Sequence, residues 1–364
     1  MMEIGLVGMP NAGKSTLFNA LTRHAVPTAP YPFTTIEPHR GVVPVPDPRL
    51  EALARIIRPE RVVPATLTVV DIAGLVRNAH RGEGLGNQFL AHIREVDALL
   101  MVLRGFAAPN VPAGLGEVDP VAELEVLDLE LALADLETVQ RRLEKTRKAA
   151  KADPEAFAQI LNALEDLAAH LQAGRPARIW RGREAWAGLL WELFLLTDKP
   201  RLLVLNVSEE DLPQDGRWTA ELARRAMEEG SPFLVVCAEL EAALNEWSEE
   251  EARAYRESLG LSDSVLDRLI RAAYVHLGLI TFFTITGGHE VRAWAIRRGT
   301  RAQQAAGQVH SDMERGFIRA EVIPWHLLVE AGSPQAARER GLWRIEGRDY
   351  EVQDGDVLHF RFHA

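Results

Sequence analysis

The stretch Gly8-Met9-Pro10-Asn11-Ala12-Gly13-Lys14-Ser15 constrains this chain more than any other. It satisfies G-x-x-x-x-G-K-[ST] at every fixed position. Its context is the one the motif needs. The apolar run Ile4 to Val7 reads as a strand, and the residues from Ser15 onward read as a helix with Leu17, Phe18 and Leu21 at helical spacing. Such a loop aims backbone N–H groups and a helix N-terminus at phosphate oxygens. Asn11, Ala12, Gly13, Lys14, Ser15 and Thr16 are therefore the expected phosphate-binding residues. Lys14 is expected to reach the β and γ phosphates and to act catalytically, with Ser15 on Mg²⁺. The implied fold class is α/β, of the P-loop NTPase type with a Ras-like G domain.

Two further elements follow in the order a nucleotide switch requires. Residues 31–38, Tyr-Pro-Phe-Thr-Thr-Ile-Glu-Pro, supply a first switch, in which Thr34 or Thr35 is placed to reach the metal and the γ-phosphate. Thr35 is the expected metal ligand and catalytic contact. Leu67 to Val70 reads as a strand that Asp71 ends, and Gly74 can offer its N–H to the γ-phosphate. Asp71 is expected to support Mg²⁺ as a Walker-B acid.

The apolar run Arg201 to Leu205 leads into Asn206-Val207-Ser208-Glu209. In GTP-binding proteins this place holds Asn-Lys-x-Asp, whose Asp accepts from the two adjacent donors of guanine. A site built for that pair rejects a base lacking it, because the carboxylate is left buried and unpaired. Glu209 is one methylene longer and cannot occupy the same place without shifting. Asn206 still suits a purine edge, and Val207 can pack on the base face. Ala238 and Glu239, after the apolar run Phe233 to Val236, are expected near the base edge. ATP is the expected preference, with GTP still bound; a guanine-preferring site in which Glu209 reads the base differently is the alternative.

Composition narrows the rest. The chain has 364 residues, 47% hydrophobic, enough for two or three domains. A formal net charge of -11 argues against a surface that coats duplex DNA. Cys237 stands alone, which excludes an internal disulfide and suits a reducing cytosol. No apolar run is long enough for a bilayer, and the N-terminus lacks a signal-peptide pattern, so no membrane partner and a cytoplasmic location are expected.

Asp119-Pro120 reads as a helix cap and first turn, and the apolar spacing of Leu124, Leu127, Leu131 and Ala134 continues it. That helix ends in Arg141, Arg142, Lys145, Arg147, Lys148 and Lys151, and a second helix from Asp153 stops at Gly174. Together they predict an antiparallel helical hairpin. Beyond Leu279 the pattern becomes short and alternating, with strands over 279–286, 290–299 and 357–362 and a short helix over 301–309, which suggests a ubiquitin-like β-grasp. Trp294, Phe317 and Trp325 in that region read more readily as core than as base-stacking residues. His310 and Asp312 lack metal-ligand spacing.

With these residues in place, the chain resembles the Obg family of P-loop GTPases, and within it the YchF, or Obg-like ATPase, branch. The likeness is carried by residues 8–22, 31–43, 71–106 and 205–211, and by 310–323 with 346–362. It implies an OBG-type G domain over 1–277, with a helical-hairpin or coiled-coil arm inserted at about 119–197, and a TGS domain over 278–364. It also implies ribosome or RNA association and ATP as the substrate. Leu75 stands where Ras-like proteins place a water-orienting Gln, so intrinsic turnover is expected to be slow. Either His80, Glu83 or Gln88 in the second switch, or K⁺ beside Asn11 as in related GTPases lacking the Gln, is a candidate to compensate. Members of the branch often carry a His in the loop after the third strand; residues 106–120 contain none. A binding protein with incidental turnover is the competing reading from another functional class.

Overall fold

The computed structural model describes residues 2–22, 39–72, 85–108, 111–212, 216–261 and 264–363. In chain order its strands are β1 (Glu3–Val7), β2 (His39–Pro44), β3 (Arg61–Val63), β4 (Thr66–Asp71), β5 (Ala98–Arg104) and β6 (Arg201–Asn206). They continue as β7 (Phe233–Val236), β8 (Leu279–Thr286), β9 (Glu290–Arg297), β10 (Phe317–Pro324), β11 (Arg344–Glu346) and β12 (Asp356–Phe362). The chain divides into two compact units, residues 1–41 with 68–266, and residues 42–67 with 267–364.

The first unit is built on a sheet of order β2-β4-β1-β5-β6-β7. The pairs β1–β4, β1–β5, β5–β6 and β6–β7 are all parallel. Every residue of β5 and of β6 is buried, which is why both read as unbroken apolar runs rather than alternating ones. Helix α1 (Lys14–Thr22) follows β1 directly, so the loop between them lies at the carboxyl end of the sheet.

Helices α2 (Pro48–Ile57) and α3 (Leu85–Glu95) come next in the chain, followed by α4 (Pro120–Ala149) and α5 (Pro154–Gln172). The caps of the hairpin are local chemistry. Asp119 accepts from the N–H groups of Val121 and Ala122, with Pro120 at the first helical position. Asp153 accepts from Ala156, and Gly174 takes the left-handed conformation beyond the end of α5.

At 1.5 Å per residue α4 is about 45 Å long, and its two halves bury different faces. Leu124, Leu127, Leu131 and Ala134, the spacing that predicts the arm, pack in the sheet's core with Leu99, Met101 and Leu203. The seam of the hairpin is made further along, where Ala132, Val139 and Leu143 cluster with Ala163, Leu164, Leu167 and Leu171 of α5. Buried polar groups fix the base of the arm. Asp135 accepts from the Leu196 and Thr197 N–H groups, each at 2.8 Å, and from the Thr197 hydroxyl at 2.7 Å. Arg201 pairs with Asp128 and, at 2.6 Å, with Glu229.

The remaining helices of the first unit are α6 (Ala187–Leu193), α7 (Thr219–Glu228), α8 (Ala238–Leu244) and α9 (Glu249–Ser258); α10 (Val265–His276) leads into the second unit.

The second unit carries a mixed sheet of order β11-β10-β12-β8-β9-β3. Its central strands β12 and β8 run parallel, with antiparallel neighbours β10 and β9. Helix α11 (Ala302–Val309) buries Ala302, Ala305 and Ala306 against Ile280, Phe282, Val322 and Leu358. This is the expected β-grasp arrangement. Trp294 stacks on Phe282 at 6.3 Å, and Phe317 packs with Phe360. His310 accepts from the Asp312 N–H at 3.1 Å and caps a short helix, α12 (Ser311–Arg315).

The units differ from the expected boundary at 277/278. Residues 42–67, with α2 and β3, and residues 267–277 belong with the C-terminal unit. Strand β3 joins its sheet as a parallel edge, with Arg61, Val62 and Val63 opposite Glu290, Val291 and Arg292. Arg49 on α2 holds Asp354 at 2.9 Å and lies over the Phe283 ring. A three-residue strand carries too little periodicity to announce which sheet it will join.

Candidate nucleotide-binding site

The loop from Gly8 to Ser15 is shaped by two glycines. Gly13 has φ +88, and a Cβ there would come 2.1 Å from the Asn206 Nδ2. A Cβ on Gly8 would come 2.3 Å from the Val102 carbonyl oxygen. Both positions therefore exclude any side chain. Asn11 also takes positive φ, at +64, a conformation Asn tolerates better than most residues.

Lys14 folds back over this loop, its Nζ donating to the Met9 carbonyl at 3.0 Å. Burial lowers its pKa, against the opposing pull of Asp71 and Glu123. The Ser15 hydroxyl donates to Asp71 Oδ2 at 2.8 Å, which joins two of the three expected metal residues across 56 positions of sequence. A hydroxyl and a carboxylate side by side are hard oxygen donors, and they fit Mg²⁺. Ser15 and Thr16 are exposed, and Ala12 is buried.

Asn206 is the hinge pin of the site. Its Nδ2 donates to the Ala12 carbonyl at 3.0 Å, and its Oδ1 accepts from the Ala238 N–H at 3.0 Å. Each end keeps one further hydrogen-bonding position. The Ala238 N–H, expected near a base edge, is taken by Asn206. Glu239 is exposed in the first turn of α8. Val207, expected to pack on a base face, is 6% exposed and belongs to the core cluster with Leu205, Leu222 and Ala226. Glu209 opens a short 3-10 turn, Glu209–Asp211, and its Oε1 accepts the Tyr255 hydroxyl at 2.6 Å.

Thr34, Thr35, Gly74, Leu75, His80 and Glu83 lie outside the described residues, as does the side chain of Gln88. Among the described residues, no group of three or more His, Cys, Asp or Glu side chains is arranged to hold a metal.

Three residues at this site escaped the sequence reading. Arg104, 1% exposed at the end of β5, donates to the carbonyls of Phe106, Val111 and Pro112 and reaches that of Asn11 at 3.5 Å. Its guanidinium lies over the Phe106 ring at 4.7 Å, so it gathers Phe106, Val111 and Pro112 against the phosphate loop. Glu123, on the first turn of α4, accepts from the Arg104 N–H at 3.0 Å. Desolvation raises its carboxyl to about 7, against the pull of Arg104 and Lys14, and its Oε1 has no hydrogen-bond partner. The third is Tyr255. An arginine closing an apolar run was a signal for Arg104; Glu123 and Tyr255 gave none. Asn11 donates through Nδ2 to the Pro112 carbonyl at 3.1 Å, which leaves Oδ1 outside that contact.

Residues 3–152 match the family model described as 50S ribosome-binding GTPase, and residues 279–363 match the YchF GTPase C-terminal model, described as a protein of unknown function. The chain is 45% identical to the ribosome-binding ATPase YchF of Bacillus subtilis over 365 residues, covering 100% of both chains. It is 40% identical to the Obg-like ATPase 1 of Oryza sativa subsp. japonica, covering 100% of this chain and 92% of that one. Among solved structures, that of the Schizosaccharomyces pombe YchF GTPase superposes with a TM-score of 0.85 at 36% identity, over 99% of this chain and 97% of the other.

Proposed function

Since this chain belongs to the YchF branch of the Obg family of P-loop GTPases, we propose that it is a nucleotide switch that hydrolyses ATP with Mg²⁺, also binds GTP, and works on the ribosome. The observation that carries this reading is the convergence of Lys14, the Ser15–Asp71 pair and Asn206 on one glycine-shaped loop. Bound Mg²⁺ would neutralise phosphate charge. Ser15 and Asp71 supply oxygens for it, with Thr35 closing from the first switch. Lys14 exchanges the Met9 carbonyl for phosphate oxygens, and Gly74 offers its N–H to the γ-phosphate. The Asn11 Oδ1 is the protein atom for K⁺; equal turnover in Na⁺ and K⁺ would remove that role.

The ribosome as partner is supported by the ribosome-binding ATPases to which the chain is similar. The exposed cations Arg141, Lys145, Arg147, Lys148 and Lys151 at the far end of α4 and just beyond it are the surface we assign to it. The nucleotide unit, with its helical insertion at about 119–197, and the C-terminal TGS domain then respond together to triphosphate. A ribosomal partner supports a cytoplasmic location; no described helix is long and apolar enough to cross a membrane.

Equilibrium binding of ATP and GTP in Mg²⁺ tests the base assignment. A GTP affinity tenfold tighter, about 1.4 kcal/mol, would make it a guanine switch, a reading favoured by the S. pombe relative's being called a GTPase. Single-turnover hydrolysis with and without ribosomes separates a switch from a binding protein with incidental turnover.

A further inference from the structure

We propose that Tyr255 is a specificity-determining residue, setting the choice of base by holding the Glu209 carboxylate through its hydroxyl. This rests on the reading that residues 206–209 face the base. The contact is a charge-assisted O–H···O⁻ bond of 2.6 Å, within the short range such bonds adopt. It joins residues 46 apart in sequence.

Tyr255 is held in place by protein alone. It lies on α9, which starts in a reciprocal capping box between Ser248 and Glu251. Its ring meets Trp247 edge-on at 5.3 Å. It packs against the cluster of Cys237, Leu240, Leu244 and Ala252, which also supports the base-side loop after β7. The next residue, Arg256, pairs with the buried Glu241 of α8 at 3.0 Å, which locks the two helices together. The phenol is thus a fixed post beside the flexible arm of Glu209.

The chemistry follows from what each purine edge presents. Guanine needs a carboxylate free to accept from its N1–H and 2-amino group at once. Glu209 has the extra methylene to swing towards such a pair, but its Oε1 is engaged by Tyr255, so the two-oxygen grip is lost. Adenine presents an acceptor at N1, and a free carboxylate there would face it acceptor to acceptor. Tethering the carboxylate removes that repulsion. The tyrosine therefore works against guanine and for adenine, a case of specificity made by withholding a contact.

The test is the ratio of Kd values for ATP and GTP, in Mg²⁺ on the full chain, for the unaltered protein, Tyr255→Phe, Glu209→Ala and the double variant. Tyr255→Phe deletes one oxygen and keeps the ring packing. It is expected to move the ratio towards GTP by about three- to tenfold, the scale of one hydrogen bond, and to have no effect once Glu209 is Ala. An unchanged ratio in Tyr255→Phe, or an equal loss for both nucleotides, overturns the proposal. If Glu209→Ala nonetheless moves the ratio, the base reading stands and the tyrosine alone is dismissed. If Glu209→Ala leaves the ratio unchanged, both fail. A shift by Tyr255→Phe that persists in the double variant shows that it acts by another route and also overturns the proposal.

Discussion

Asn206 and Ala12 are 194 residues apart in sequence and joined by a 3.0 Å hydrogen bond, from the Asn206 Nδ2 to the Ala12 carbonyl. Through its Oδ1 the same side chain holds Ala238, so one amide ties the phosphate loop to the start of α8.

Asn206→Ala is therefore expected to cost both ends at once. The Ala12 carbonyl and the Ala238 N–H would lose a buried partner, at about 1–3 kcal/mol each. ATP and GTP affinity should fall together, and the melting temperature with them. Calorimetry beside equilibrium binding checks this; a normal melting curve with selective loss of one nucleotide would contradict it.

Lys14→Met separates chemistry from folding. Lys14 is buried in a site where desolvation already opposes its charge, so removing the ammonium is not expected to unfold the chain. Single-turnover hydrolysis should drop by about a hundredfold or more, the scale of losing one transition-state electrostatic contact. A variant that hydrolyses at the original rate would exclude Lys14 from the reaction.

Glu123 makes stability depend on pH. Its carboxyl is raised from 4.5 to about 7 in the folded chain. The folded state holds a proton that the unfolded state has lost, so this contribution is full below pH 4.5 and disappears as pH rises through 7. Glu123→Gln keeps an acceptor for the Arg104 N–H and removes the titration. It should raise the melting temperature at pH 8 relative to the parent and change it little at pH 4.5. An equal shift at both values would show that the carboxyl does not titrate in this window.

Asp135→Asn should behave in the opposite way at pH 8, although burial raises this carboxyl too, to about 6. Both of its oxygens accept, from Leu196 and from Thr197. An amide would turn its NH₂ towards donors it cannot satisfy. A loss of about 1–3 kcal/mol is expected by denaturant unfolding. Contrast with Glu123, whose Oε1 has no partner to lose, makes the pair a test of satisfied against unsatisfied burial.

Much of the first unit was legible because its signals are short-range. The strand-loop-helix frame of Gly8 to Ser15, the Asp119-Pro120 cap and the Gly174 stop each depend on residues a few positions apart. The Leu124 to Ala134 spacing gave the helix but left its partner unnamed, since periodicity says that a face is apolar and not what covers it. Residues 42–67 illustrate the same limit, their strand pairing with a sheet formed more than two hundred positions away.

The order of residues by itself fixed the phosphate loop, the strand that Asp71 ends, the helical hairpin and the absence of a guanine-type aspartate at position 209, because each is a local pattern of chemistry. Tertiary structure alone decided that Arg104 binds Glu123 and the carbonyls of Val111 and Pro112, that Val207 turns into the core, and that Tyr255 takes hold of Glu209. Those roles arise from contacts between distant segments, and a side chain's partner there is set by how the helices and strands pack, which no spacing along the chain records.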